Sequence, residues 1–187
     1  VGAGAGVSEK GVGMGEMGGS GVGKWDGLPM TFLMRRVMEE CATVDEALQL
    51  MKKTPLTCDY YYVLSDKNKS MAGVVAISGK PLVILKPGAQ NPQLPEVPKD
   101  TVLVSGKGRA EALSKRLKQN FGKIDAAKMI EIIKRPVAMK SNLHNAIFLP
   151  ESQTMYFADA SGRKLACDEK YYRVNLKELI KYYQKNH

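Results

Sequence analysis

The run SNLHN, residues 141–145, is the most polar cluster beside an apolar, strand-like stretch, and its side chains suit chemistry at a carbonyl. Asn142, His144 and Asn145 can orient a substrate or donate to an oxyanion. The competing reading is structural, because such side chains also satisfy backbone groups at strand ends. Glu16 stands alone among glycines. A lone charge in a strand wall is costly without a partner, which makes it a candidate buried, substrate-binding carboxylate unless it faces solvent. Arg109 follows Ser105-Gly106-Lys107-Gly108, and its planar fork can hold a substrate carboxylate, although an Arg opening a helix is commonly a surface residue. His144 has no second His, Cys or Asp at ligand spacing, so no metal is expected.

A second candidate fails on inspection. In GGSGVGKW, residues 18–25, Gly18, Gly23 and Lys24 fit the spacing of a phosphate-binding loop, but Trp25 stands where a Ser or Thr hydroxyl is needed for Mg²⁺. Such a loop also opens directly into a helix at the Lys, whereas here Pro29 reads as the first helical residue. GMGEMG, residues 13–18, fits a dinucleotide pattern, yet eleven of the 18 glycines fall in the first 27 residues, where chance matches are expected. No nucleotide and no other cofactor is expected.

The elements that must position these residues follow from periodicity. The chain has 187 residues, 44% hydrophobic and 25% charged, which suits one domain spanning 1–187. The longest aliphatic runs, 74–77 and 82–85, are strand-sized and too short to cross a bilayer. Cys41, Cys58 and Cys167 are odd in number and widely spaced, which argues against a disulfide framework. Cysteine usage favours a cytoplasmic, reducing interior, and an odd count is also compatible with export. The formal charge of +9 invites acidic partners, but the lysines fall on the polar faces of amphipathic helices, with no converging basic or aromatic stripe for nucleic acid.

Residues 1–27 read as two glycine-rich strands around the turn Ser8-Glu9-Lys10-Gly11. A helix follows with Met30, Leu33, Met34, Val37, Met38 and Cys41 on one face. Thr43 and Glu46 form a capping box for a second helix, with Val44, Ala47, Leu48 and Met51 inward. Strands at 59–66, 71–77 and 81–86 form a meander, and a proline-rich loop leads to a further strand at 101–105. A helix over 109–120 buries Ala110, Leu113, Leu117 and then Phe121, with Lys115, Arg116 and Lys118 outward; Asp125 caps the next helix. Strands at 144–149 and 154–158 and a closing helix from about Asn175, with Leu176, Leu179, Ile180 and Tyr183 inward, complete an α+β pattern of helix layers over antiparallel sheet.

The segments GVSEKGVGMGEMGG, WDGLPMTFLMRRVMEECATVDEALQLMKKTP, YYYVLSD with AGVVA, SGKGRAEAL and SNLHNAIFLPESQTMYFADASG, then a Cys and YYRVNL, occur in that order. Together they resemble the isopenicillin N acyltransferase-type family of autoproteolytic acyltransferases and hydrolases, related to choloylglycine hydrolases and acid ceramidases. The resemblance covers nearly the whole chain. It implies a four-layer αββα sandwich of the N-terminal-nucleophile hydrolase type. It also implies a Cys nucleophile that attacks an amide or thioester carbonyl while its own α-amino group acts as base.

Residue 1 is Val, and none of Cys41, Cys58 and Cys167 matches the nucleophile. The family's early Asp and Arg would also precede Val1, and the oxyanion Asn of related hydrolases would fall near Gly18, where Glu16 stands and no Asn does. The chain lacks an initiator Met and a signal segment and reads as entered in mid-fold. The expectation is therefore a fold incomplete at its N-terminus, inactive alone, whose partners are a small acyl-amide or acyl-thioester and an upstream segment of the same protein. Two alternatives stand beside it: a binding or regulatory module of the same fold that has lost the chemistry, and a basic nucleic-acid binder, whose signature would be salt-dependent binding.

Overall fold

The computed structural model describes residues 4–19, 23, 25–89, 91–106 and 108–186. A glycine-rich hairpin opens it, β1 (Ala5–Val7) and β2 (Val12–Gly18), antiparallel as the turn at 8–11 implies. Helices α1 (Met30–Glu40) and α2 (Val44–Lys53) follow, then the meander β3 (Tyr60–Asp66), β4 (Met71–Ala76) and β5 (Val83–Leu85). The five strands form one antiparallel sheet in the order β1-β2-β3-β4-β5, which leaves β1 at an edge. After α3 (Arg109–Asn120) and α4 (Ala126–Ile132), strands β6 (His144–Leu149), β7 (Thr154–Asp159) and β8 (Tyr172–Asn175) form a second antiparallel sheet, and α5 (Leu176–Asn186) closes the chain.

Alternation along the strands decides which face meets which layer. Val12, Met14, Tyr62, Leu64, Ala72, Val74 and Ala76 share one face and form a core with Leu33, Met34 and Val37 of α1 and Val44, Ala47, Leu48 and Met51 of α2. Each such buried aliphatic side chain contributes about 1.5–3 kcal/mol of transfer free energy, offset by chain entropy. The helix starts bear out their sequence signals with small differences. Pro29 is the residue before α1 rather than its first. Thr43 Oγ1 accepts from Glu46 N–H at 3.2 Å, while the Glu46 carboxylate reaches one residue further back than a capping box does, accepting from Ala42 N–H at 2.7 Å.

Asp66 joins three elements. Its buried carboxylate accepts from Val44 N–H at the start of α2 (2.8 Å), and from Asn68 N–H (2.9 Å) and Ser70 N–H (3.1 Å) in the β3–β4 turn. A helix N-terminus and a tight turn both present unpaired N–H groups, and one carboxylate satisfies them together.

The second sheet packs on the opposite face of the first, over β1 and β2, in the αββα order, with α4 in contact with β6. Glycine makes this approach possible: a Cβ at Gly13 would lie 3.0 Å from Pro150 and 3.3 Å from Phe148. Further along the same face, Val102 and Val104 lie over β4, and a Cβ at Gly73 would fall 2.8 and 2.5 Å from them. Residues 101–105 form no strand, contrary to the sequence expectation: the segment packs the side chains of Val102 and Val104 onto the sheet instead of joining a ladder. On this face Val63 and Val83 stay 40% and 53% exposed.

Three further expectations are corrected. Phe121 is 50% exposed, because the helix ends there and the small core around Leu103, Ala110, Leu117 and Ile132 is already closed. Arg116 does not point into solvent: its guanidinium donates to the carbonyls of Ile132 (2.7 Å), Lys134 (2.6 Å) and Arg135 (2.7 Å), capping the end of α4. Leu179 and Tyr183 are 43% and 60% exposed, since α5 meets the body chiefly through β8 and buries no residue fully. Strand β8 itself went unrecognised in the sequence.

Candidate active site

A cavity of about 210 Å³ opens where the two sheets meet. One wall is β1 and β2, through Gly4, Ala5, Gly15 and Glu16. The opposite wall is the start of β6, with Asn142, His144 and Asn145 beside Ala146 and Phe148, and the segment after α4 closes one side with Ile133, Val137 and Ala138. The small residues of the β1–β2 wall leave the space that the polar groups of the β6 wall line.

Four of the five residues singled out in the sequence line this cavity, Glu16, Asn142, His144 and Asn145, although Glu16 pairs with Tyr62 and so shares the face of Val12 and Met14 that turns to the helices. Arg109 does not join them; it lies half-buried, with Nη2 3.2 Å from Met17 Sδ. Asn142 Nδ2 donates to Asn145 Oδ1 at 2.9 Å, and Asn145 Nδ2 donates to the Tyr171 hydroxyl at 3.2 Å. The two amides therefore bond to each other and to a phenol, not to strand-end backbone. This chain fixes the orientation of the buried Asn145 and directs the remaining valences of Asn142. Burial pushes the Tyr171 phenol up, the Asn145 hydrogen bond opposing it. Tyr171 is the participant that sequence reasoning missed, since a tyrosine 26 residues from its partner carries no local signal.

Burial raises the Glu16 carboxyl above its ordinary range, and the charge of His144 pulls it partly back. Among the described residues, Glu16 has no hydrogen bond or ion pair. None of the three cysteines lines the cavity. Cys41 sits buried beneath the helix layer, where desolvation pushes its thiol up and away from the thiolate an attack requires. Cys167 is buried and Cys58 half-buried. Among the described residues no three His, Cys, Asp or Glu side chains cluster as metal ligands.

A larger cavity, about 560 Å³, lies between β5 and the proline-rich loop and is lined by none of the candidate residues. Size alone therefore does not mark the site; the convergence of polar groups does. In the GGSGVGKW stretch, Gly18 ends β2 and Gly19 N–H donates to Asp59 O at 3.0 Å, while residues 20–22 and Lys24 lie outside the described residues. Residues 25–27 are irregular and α1 starts only at Met30, so no helix N-terminus stands where a phosphate loop would need one. No helix among the described residues is long and apolar enough to cross a membrane.

Comparison with known proteins agrees with this architecture. A variant of conjugated bile acid hydrolase from Clostridium perfringens superposes with a TM-score of 0.65 at 13% identity, covering 94% of this chain and 73% of that one. Penicillin V acylase from Agrobacterium tumefaciens gives 0.62 at 14% identity, covering 93% of this chain and 66% of that one. At such identities the likeness is one of fold, and the fold is that of the N-terminal-nucleophile hydrolases. No curated protein sequence matches. The family described as acyl-coenzyme A:6-aminopenicillanic acid acyl-transferase matches over residues 1–164, which take in both walls of the cavity and stop short of Tyr171, and the chain belongs to that family.

Proposed function

We propose that the chain is the body of an acyltransferase or amidohydrolase that transfers or cleaves an amide- or thioester-linked acyl group in the cavity between β1, β2 and β6. The observation that carries this reading is the convergence of Asn142, Asn145, His144 and Glu16 on one small cavity of a family member. The nucleophile is a cysteine supplied by sequence upstream of Val1. Its thiolate adds to the acyl carbon and its α-amino group takes the proton. The C–N or C–S bond then breaks as that proton passes to the leaving group, and the acyl-enzyme is resolved by water or an acceptor amine. Asn142 and Asn145 supply amide N–H groups for the oxyanion or the substrate carbonyl.

A second reading, a binding module of the same fold without chemistry, is favoured by the absence of a thiol from the cavity lining. One experiment separates them. The upstream reading frame is joined to the chain, with its cysteine intact or replaced by alanine, and hydrolysis of phenylacetyl and longer-chain amides and thioesters is measured. Turnover with the cysteine, and none with alanine in a folded protein, supports the enzyme. An upstream frame without a cysteine, or robust turnover by the 187-residue chain itself, defeats this assignment of the nucleophile.

A further inference from the structure

We infer that Arg109 ends an apolar strip on the inner face of the larger sheet, and that the strip binds an alkyl carboxylate, with the carboxylate on the guanidinium and the tail along the strip. Arg109 does not line the cavity described above, so this inference and the acyl reading stand or fall separately. The strip follows from register. Alternation along β2 places Met17 with Gly13 and Gly15, on the face where Gly13 meets Phe148 and Pro150. Residues paired across an antiparallel ladder share a face. Tyr61, paired with Met17, and Val63, paired with Gly15, therefore lie there too, as do Val75, paired with Tyr61, and Val83, paired with Val75. Met17, Tyr61, Val75 and Val83 make a row three strand spacings long, about 14 Å, with Val63 beside it. None of them is fully buried, and Val63 and Val83 are exposed.

The cation at the end of this row is held in place. Arg109 Nη2 lies 3.2 Å from Met17 Sδ, and a Cβ at Gly106 would fall 3.2 Å from the same nitrogen, so the absence of a side chain there makes room for the guanidinium. A thioether is a weak acceptor, and the fork has five N–H donors to satisfy. No Asp or Glu pairs with it, although every Asp and Glu of the chain is among the described residues. Glu111, two residues on, is engaged by the Gly108 N–H, and Glu16, next to Met17, turns to the helix-covered face. A half-buried fork with one weak acceptor suits a carboxylate, which takes two of its N–H groups at once. The apolar row beside it favours an anion with a hydrocarbon tail over a bare one.

The test uses octanoate, octanamide and octylamine, which share a tail and differ in charge, and acetate, which keeps the carboxylate and drops the tail. Each is titrated into the chain and followed by the NMR signal of the Met17 methyl group, which sits beside the guanidinium and is assigned with Met17→Leu. Octanoate is expected to bind about ten-fold tighter than octanamide and at least about ten-fold tighter than acetate, with octylamine weaker than octanamide. The advantage over octanamide should vanish in Arg109→Gln and shrink in Arg109→Lys, whose ammonium keeps the charge without the fork. The comparison of probes on the unmodified chain stands even if a variant fails to fold. Equal binding of octanoate and octanamide, acetate binding as tightly as octanoate, or a carboxylate preference that survives in a folded Arg109→Gln variant overturns the inference. So does a Met17 signal that responds to protein concentration and to none of the probes, which would make a second copy of the chain the occupant of this face.

Discussion

Replacing Asp66 with alanine is expected to cost roughly 2–4 kcal/mol, because three N–H donors on two elements lose a charged acceptor in a buried place. Urea unfolding measures it, and a loss below about 0.5 kcal/mol would show that water replaces the carboxylate. Glu16 acts in the opposite sense. Its folded-state pKa is raised, so the folded chain favours the protonated form more than the unfolded chain does. Stability associated with this group is fully present below the ordinary value of 4.5 and is lost as pH rises through the raised value. Glu16→Gln should therefore have the higher Tm at neutral pH, with the difference closing in acid; a variant less stable at pH 7 refutes the desolvation argument. At this scale the sequence was legible where a residue type was rare in its surroundings, as with Glu16 among glycines and the Asn-His-Asn run. It was illegible where a role depends on a distant partner, as with Tyr171, and with Asp66, whose bond to Val44 spans 22 residues.

Between residue and molecule lies the question of how elements hold the cavity wall. Arg116 on α3 binds three carbonyls at the end of α4, just before the Ile133, Val137 and Ala138 side of the cavity. Arg116→Ala is expected to destabilise by about 1–3 kcal/mol, and Arg116→Lys by nearly as much, since one ammonium cannot span the three acceptors. Hydrogen exchange of residues 133–138 should rise with it; unchanged protection there would separate Arg116 from the wall. Periodicity revealed α1, α2 and the meander because each has one buried face with a full covering layer. The same periodicity misled at α5 and Phe121, where an apolar face exists but little packs on it. Strand β8 was hidden because Tyr172 and Arg173 are exposed and only Val174 and Asn175 turn inward, leaving no alternation to read. Residues 101–105 have strand composition, yet what they use is the gap above Gly73, and a missing side chain elsewhere in the chain gives no local signal.

On the scale of the molecule, Val63 and Val83 stay exposed on the inner face of the larger sheet, and among the described residues β1 is an edge strand. Both are surfaces that another chain can occupy. The 187-residue chain is expected to associate as concentration rises, and Val63→Thr with Val83→Lys should reduce that association without loss of Tm; light scattering after size-exclusion chromatography decides it. The seam between the sheets has a consequence in time as well as in space. The helix-covered core draws on residues 12–76, whereas the cavity needs Gly4 to Glu16 on one wall and Ile133 to Phe148 on the other, with Gln153 Nε2 bonded to Glu9 O across 144 positions. Closing so long a loop is slow compared with pairing neighbouring strands. During synthesis the core can therefore assemble while the chain is still emerging, but the cavity cannot exist until residues 133–148 have followed, and a chain that stops before them would be folded in part and blind to its ligand.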